Sequence, residues 1–364
     1  MAIKQSQLLD LIATTLNDLP KQEFEVGWDN QDYEFCRIYQ TERMVIDGGT
    51  QIERKVMLDE SGNAHYRRVY DTDNPQVNQV MHTIKVPWTL IGTNYSWDEF
   101  ELLQQKNSAK GFINLMKVRR TDGLWSLANL IEERAWKTPT NATDDLYPYG
   151  VPYYLNVKTT AAGGATVNAS SGFVGGTITY QDATYGTVCA NIDAATETKW
   201  RNYAALYTEV NNALLKSFRL AFMYTNFKAP LFVNDPSNKR QAAKRVYTDF
   251  DTVAELMNLA DQRDDNVTGK EVLGNIRVDD AGLVTLNRLP VVGIPQLNGA
   301  TYTPIYCVDF SKFVPVIHDG YWMEEKEPMV SRGQHTTYTV YLDGAHNNLC
   351  LNRRTCGFVM HKAS

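Results

Sequence analysis

Between residues 43 and 97 apolar side chains recur mostly at alternate positions, the period of a half-buried strand. Met44-Val45-Ile46 reads as a short strand before the turn Asp47-Gly48-Gly49. Ile52, Val56 and Leu58 then alternate with Glu53, Lys55 and Met57. Asp59-Glu60-Ser61-Gly62-Asn63 is a turn signal, and residues 65–70 read as the return strand of a hairpin. Val80, His82, Ile84, Val86 and Trp88 alternate in turn with Met81, Thr83 and Lys85. From 98 to 137 the pattern becomes mainly helical. Trp97-Asp98-Glu99 places acids at the first turn, where the helix dipole favours them. Ile113, Met116, Leu124, Leu127, Ile131 and Ala135 form one stripe, interrupted by Arg120, and Thr138-Pro139 stops the helix. Residues 108–137 alone would span about 45 Å. Gly111 and Gly123 within it read as points of close packing.

Elsewhere the pattern is more broken. Leu8, Leu9, Ile12, Leu16 and Leu19 predict an amphipathic helix over 1–20, ended by Pro20. Residues 21–42, with Trp28, Tyr33, Phe35 and Tyr39, read as an extended arm. Residues 139–195 are turn-rich, and from Thr159 onward they are loaded with Gly, Ala, Thr, Ser and Asn, with room for one hairpin. Over 196–227 the apolar positions Trp200, Tyr203, Leu206, Tyr207, Val210, Leu214, Leu215, Phe218 and Phe222 predict a helix. Residues 231–325 read as a mixed lobe. Its strands are Leu231–Val233, Leu283–Leu286, Leu289–Ile294 and Ile305–Asp309, its helix is Phe250–Asp261, and a turn of helix starts at Ser311–Phe313. Strands at Thr336–Leu342, Asn348–Asn352 and Gly357–His361 close the chain. The expected class is α+β, without internal repeats.

Composition narrows the possibilities. At 364 residues, 43% hydrophobic and 21% charged, the chain has enough material for two or three folded lobes. A net charge of −6 and a pI of about 5.6 argue against binding nucleic acid by charge alone. The N-terminal stretch lacks the apolar run of an export signal, and no run approaches the roughly 18 residues needed to span a bilayer. Five scattered cysteines without a CxxC pair read as free thiols in a reducing compartment.

Candidate chemistry is sparse. The phosphate-loop, HExxH and GxSxG signatures are missing. Gly163-Gly164 and Gly175-Gly176 lack the strand and helix start that a phosphate loop needs. No two of the six histidines stand at helical metal-binding spacing. His318-Asp319 with Glu324, Glu325 and Glu327 has the donors for a metal or acid–base cluster but reads as a solvated acidic turn before Pro328; Asp264-Asp265-Asn266 lacks the spacing of a calcium loop. No catalytic, metal or cofactor residue is expected. Charge instead gathers on the hairpin, at Glu53, Arg54, Lys55, Asp59, Glu60, Arg67 and Arg68. A hairpin with so few apolar residues needs a sheet or a partner to lie on. Arg67-Arg68 facing Glu53 and Glu60 suits cross-strand pairing or ion pairs to a neighbour. Lys117, Arg119 and Arg120 lie on the long helix; Arg120, in the apolar stripe, suits a buried or subunit-crossing ion pair better than a phosphate contact. Arg353-Arg354 reads as an exposed edge or turn. The candidate intersubunit set is Glu53, Arg54, Lys55, Arg67, Arg68 and Arg120.

The order of parts and several local stretches resemble a tailed-phage major capsid protein of the HK97 type over nearly the whole chain. The stretches are Asn94-Tyr95-Ser96-Trp97, residues 128–136 (ANLIEERAW), Tyr149-Gly150-Val151-Pro152-Tyr153 and Trp200-Arg201-Asn202-Tyr203. The resemblance implies an N-arm at 1–42, an E-loop at 43–97, a P-domain at 98–230 and 326–364 with its spine helix over 98–137, and an A-domain at 231–325. It implies a non-enzymatic subunit without cofactors. Such subunits assemble as hexamers and pentamers into an icosahedral virion capsid, built in the host cytoplasm, around double-stranded DNA held without sequence preference. A portal, and scaffold or decoration proteins, are the further partners; no membrane is implied. Some relatives cross-link a Lys to an Asn; Lys55 is the hairpin lysine, but no motif marks its partner, so no cross-link is expected. Two other readings remain: an encapsulin-like compartment shell of the same fold, and an enzyme or glycan-binding module with a groove in the Gly/Thr-rich region.

Overall fold

The computed structural model describes residues 33–72, 77–104, 109–157, 172–227, 243–264, 276–278, 284–330 and 333–362. The predicted helix over 1–20, the strand Leu231–Val233 and the pair Asp265-Asn266 lie outside them. The architecture is α+β, as the pattern predicts. The chain forms two compact units: Met1–Gly48 with Thr89–Glu133 and Val316–His346, and Gly49–Trp88 with Arg134–Pro315 and Asn347–Ser364.

The first unit is built on a six-stranded sheet. Its centre is the antiparallel pairing of Thr89–Asp98 with Thr337–Cys350, in register from Thr89↔His346 to Asp98↔Thr337. Thr89, Ile91, Tyr95 and Trp97 are buried while Leu90, Gly92, Asn94 and Ser96 are exposed, so this strand shows the period of two. The partner was expected as two strands broken near Asp343-Gly344. It is one strand, and at Gly344 the backbone passes close to Trp322, where a Cβ would stand 3.1 Å from the ring. Met44–Ile46 pairs in parallel with Val316–His318.

Helices Glu99–Gln104 and Ala109–Ala135 occupy the region expected to form a single helix. Met116, Leu127 and Ile131 of the predicted stripe are buried, and Leu124 is exposed. Gly123, as anticipated, is a packing point, its Cβ position 3.7 Å from both Thr93 and Tyr95. The expected extended arm is, over its described part, the helix Glu34–Thr41. Phe35, Ile38 and Tyr39 stand at the three- and four-residue spacing of one helical face and are all buried. Glu132, also buried, accepts from Phe35 N at 2.8 Å, so a carboxylate caps the positive end of that helix. Tyr33 Oη donates to Asn129 at 2.7 Å.

The second unit carries an eight-stranded sheet in the order 276–278, 284–286, 289–293, 244–248, 305–309, 357–362, 202–207 and 172–175. The predicted helix over 196–227 is instead the strand Asn202–Tyr207 followed by the helix Asn212–Thr225. Asn202, Tyr203, Ala204, Ala205 and Tyr207 are buried, so no polar alternation marks the strand. The helix starts where Asn211 accepts from Ala213 N and Leu214 N. Leu214, Leu215, Phe218 and Ala221 then pack with Cys307, Phe358 and Met360. The turn of helix expected at Ser311–Phe313 is the entry to the strand Phe313–His318.

Candidate functional site

The hairpin of the second unit pairs Gln51–Met57 with Met81–Pro87, in register from Gln51↔Pro87 to Met57↔Met81. The predicted return strand at 65–70 does not form. Its residues alternate poorly and carry few apolar side chains, whereas Ile84 and Val86 are buried against the same face as Ile52. This changes the charge pairing. Glu53 faces Lys85, with Lys85 Nζ 3.7 Å from its carboxylate, and Arg67-Arg68 lie in the loop beyond. Lys55 is exposed and Arg54 half-buried.

The base of the hairpin is tied down. Trp88 Nε1 donates to Gly49 O at 3.0 Å. Lys85 N donates to Ala190 O at 3.1 Å, and Asn191 Nδ2 to Thr83 O at 3.1 Å. The donor and acceptor at 190–191 sit in the tight turn between Val188–Cys189 and Ile192–Asp193. At the far end the tie is an ion pair, Lys199 Nζ lying 3.5 Å from Asp59 Oδ1. The last rung is Leu58 N to Val80 O at 3.2 Å, and the described residues from 62 to 79 are all exposed. Among them, Tyr66, Tyr70 and Val77 are at least 99% exposed and Val69 is 81% exposed. Exposed large apolar side chains are thus gathered on one loop.

Arg120 is engaged within its own chain. Its guanidinium meets both oxygens of Glu325, at 3.0 and 3.1 Å, and Tyr95 donates its hydroxyl to the same carboxylate. Burial, then the hydrogen bond to Glu325, pushes the Tyr95 phenol far above its usual range. Arg119 pairs with Glu101 at 2.8 Å. Lys117 is buried, so it is not displayed to a phosphate. The acidic turn does not converge on a metal: Glu325 goes to Arg120, Glu324 pairs with Lys326 at 2.9 Å, and His318 turns to the carbonyl of Asp319. Among the described residues, metal-ligating side chains converge instead at Asp59, His82 and Glu197. All five cysteines are free, four of them buried, and burial pushes Cys189 and Cys307 up to about 12.

Two buried groups escaped sequence reasoning. Arg353, expected at an exposed edge, is fully buried in the second unit. His346 is buried in the first unit against Tyr39 and Trp322, and desolvation lowers its pKa to about 4. An unfolded histidine titrates near about 6.5. Acid therefore favours the unfolded chain: this term is neutral above about 6.5 and destabilises progressively as pH falls toward about 4, by about 3 kcal/mol at the acid end. Denaturant midpoints measured at pH 7 and pH 4.5 should show the loss, and His346→Phe should remove most of this component. An unchanged pH slope in that variant would exclude His346 as its source.

No family model matches the sequence, and no curated protein matches it. Solved structures do. A chain of the cyanophage A-1(L) capsid asymmetric unit is 14% identical, with a TM-score of 0.57 over 94% of this chain and 98% of that one. The capsid of a native GTA particle gives 11% and 0.51 over 95% of each chain. The capsid of Myoviridae phage XM1 gives 11% and 0.50 over 96% and 98%. Sequence identity is low and coverage nearly complete, so the likeness lies in the fold, which is the HK97-like fold of these capsid chains.

Proposed function

We propose that this chain is a tailed-phage major capsid protein, the repeating subunit of an icosahedral shell that encloses double-stranded DNA. The observation that carries the reading is a hairpin whose loop beyond Leu58 and Val80 is exposed, with apolar and charged side chains, on a chain of which 94% matches a capsid subunit in fold. A shell needs many modest, repeated interfaces, and a projecting loop supplies one per copy. In this reading residues 1–42 are the N-arm and 43–97 the E-loop, of which 49–88 is the reaching hairpin. The P-domain is 98–230 with 326–364, and the A-domain is 231–325. Glu53, Arg54, Lys55, Arg67 and Arg68 meet a neighbouring subunit, while Arg120, bound to Glu325, braces the spine helix from within. Hexamers and pentamers, a portal, and scaffold or decoration proteins complete the assembly, in the virion and, before that, in the host cytoplasm. Among the described residues no helix is long and apolar enough to cross a membrane.

The experiment is electron microscopy and sedimentation of the expressed full chain. Closed shells of uniform size are the expected result. A monodisperse monomer at high concentration would overturn the proposal, and shells holding an enzyme in place of DNA would favour a cellular compartment.

A further inference from the structure

The ligand atoms of Asp59, His82 and Glu197 lie within 4.8 Å of one another, and three separate pieces of chain supply them. Asp59 follows the last rung of the hairpin. His82 stands opposite Val56 on the returning strand, on the face that carries Ile84 and Val86. Glu197 precedes the short 3-10 turn Thr198–Trp200. Its backbone is held at both ends: Glu197 N donates to Asp193 O at 2.8 Å, and Trp200 N donates to Glu197 O at 2.9 Å. Trp200 is fully buried, so the turn that presents Glu197 is rooted in the core.

His82 supplies the second observation. Its Nε2 is shielded from solvent and makes no hydrogen bond. The nearest acid, Glu197 Oε1, is 3.8 Å away, too far to satisfy it. A shielded polar atom without a partner is costly, and a metal ion would resolve it.

The geometry points to a divalent transition-metal site, of the kind Zn2+ or Co2+ occupies, formed by Asp59, His82 and Glu197 and clipping the hairpin to the 188–200 segment. An imidazole nitrogen with two carboxylate oxygens suits Zn2+ or Co2+ better than Mg2+ or Ca2+, which take all-oxygen sets. Three protein ligands leave a fourth position for water. Bonds of about 2.0–2.1 Å place tetrahedral ligands about 3.3 Å apart. Without metal, a different cation serves: Lys199 Nζ lies 3.5 Å from Asp59 Oδ1. Metal and ammonium therefore compete for one carboxylate. The clip does not depend on the shell reading, since all three ligands belong to one chain.

The test is titration of the full chain with Co2+, followed by its visible absorption bands, and with Zn2+ by calorimetry. Amide exchange over 81–87 is read in parallel. The expected result is saturable binding with slowed exchange in that strand. His82→Gln and Glu197→Gln should each weaken it by at least about ten-fold. Glu197→Gln guards against misfolding, because the turn there is held by backbone bonds. Lys199→Met should strengthen binding several-fold; a role limited to the Lys199–Asp59 ion pair would not. Absence of saturable binding, or equal affinity in wild type and both ligand variants, would overturn the site. Sedimentation of the same variants without metal reports assembly separately.

Discussion

Replacing residues 60–79 with a single glycine should leave a folded subunit that no longer closes into shells. The ladder is complete at Leu58 and Val80, so the new loop is Asp59-Gly between them. That is a two-residue connection of the kind that turns antiparallel strands. The excised residues contribute no described strand or helix, and nearly all those described are exposed. Shortening the loop from more than twenty residues to two also lowers the entropy of closing it, by about 2 kcal/mol for a flexible loop. The melting temperature should therefore hold or rise. Assembly should be lost, because Tyr66, Val69, Tyr70 and Val77 leave the surface together. Each such side chain buried at an interface is worth about 1.5–3 kcal/mol, and the loss recurs in every copy. Circular dichroism and sedimentation measure the two halves. Complete shells from the shortened chain would remove the hairpin tip from the assembly surface.

Arg353→Met should be the most damaging single substitution in the second unit. Arg353 Nε donates to Tyr154 O at 2.7 Å, Nη1 to Trp200 O at 3.4 Å and Nη2 to Asn202 Oδ1 at 3.3 Å. These acceptors come from a short helix, the turn that presents Glu197, and the strand Asn202–Tyr207. One planar fork thus holds three elements around a site closed to water. Methionine fills the stem but leaves the acceptors unsatisfied. Leaving these buried acceptors without a donor costs about 1–3 kcal/mol each, against a typical total of about 5–15 kcal/mol. Lysine should not rescue, since a compact ammonium cannot span three separated acceptors. The denaturant midpoint measures the loss, and a wild-type midpoint in the methionine variant would show the fork to be dispensable.

The pattern of the sequence was legible wherever one face of an element meets water. Met44–Ile46, Gln51–Met57 and Met81–Pro87 lie close to their predicted positions, and the helix Phe250–Asp264 extends its predicted span, while Gly357–Lys362, buried as far as His361, was readable as a bounded apolar run. The long helical region was readable from Met116, Leu127 and Ile131. The reading failed where burial erased alternation, as in Asn202–Tyr207, and where a charged, exposed loop imitated a strand, as at 65–70. In Glu34–Thr41 the helical spacing of Phe35, Ile38 and Tyr39 was present but too short to outweigh the mixed residues around it.

The sequence by itself determined the α+β class, the positions of the strands Gln51–Met57 and Met81–Pro87, the absence of familiar catalytic signatures, and the resemblance that the solved capsid structures match in fold. Those properties depend on local period, turn chemistry and residue order, which are written along one dimension. Tertiary structure decided the pairings. It set Glu53 against Lys85, gave Arg120 to Glu325 across 205 positions, buried Arg353, and drew Asp59, His82 and Glu197 together. Each of these joins segments far apart in the chain. Which charge finds which partner depends on the register and burial that folding imposes, and no local spacing carries that information.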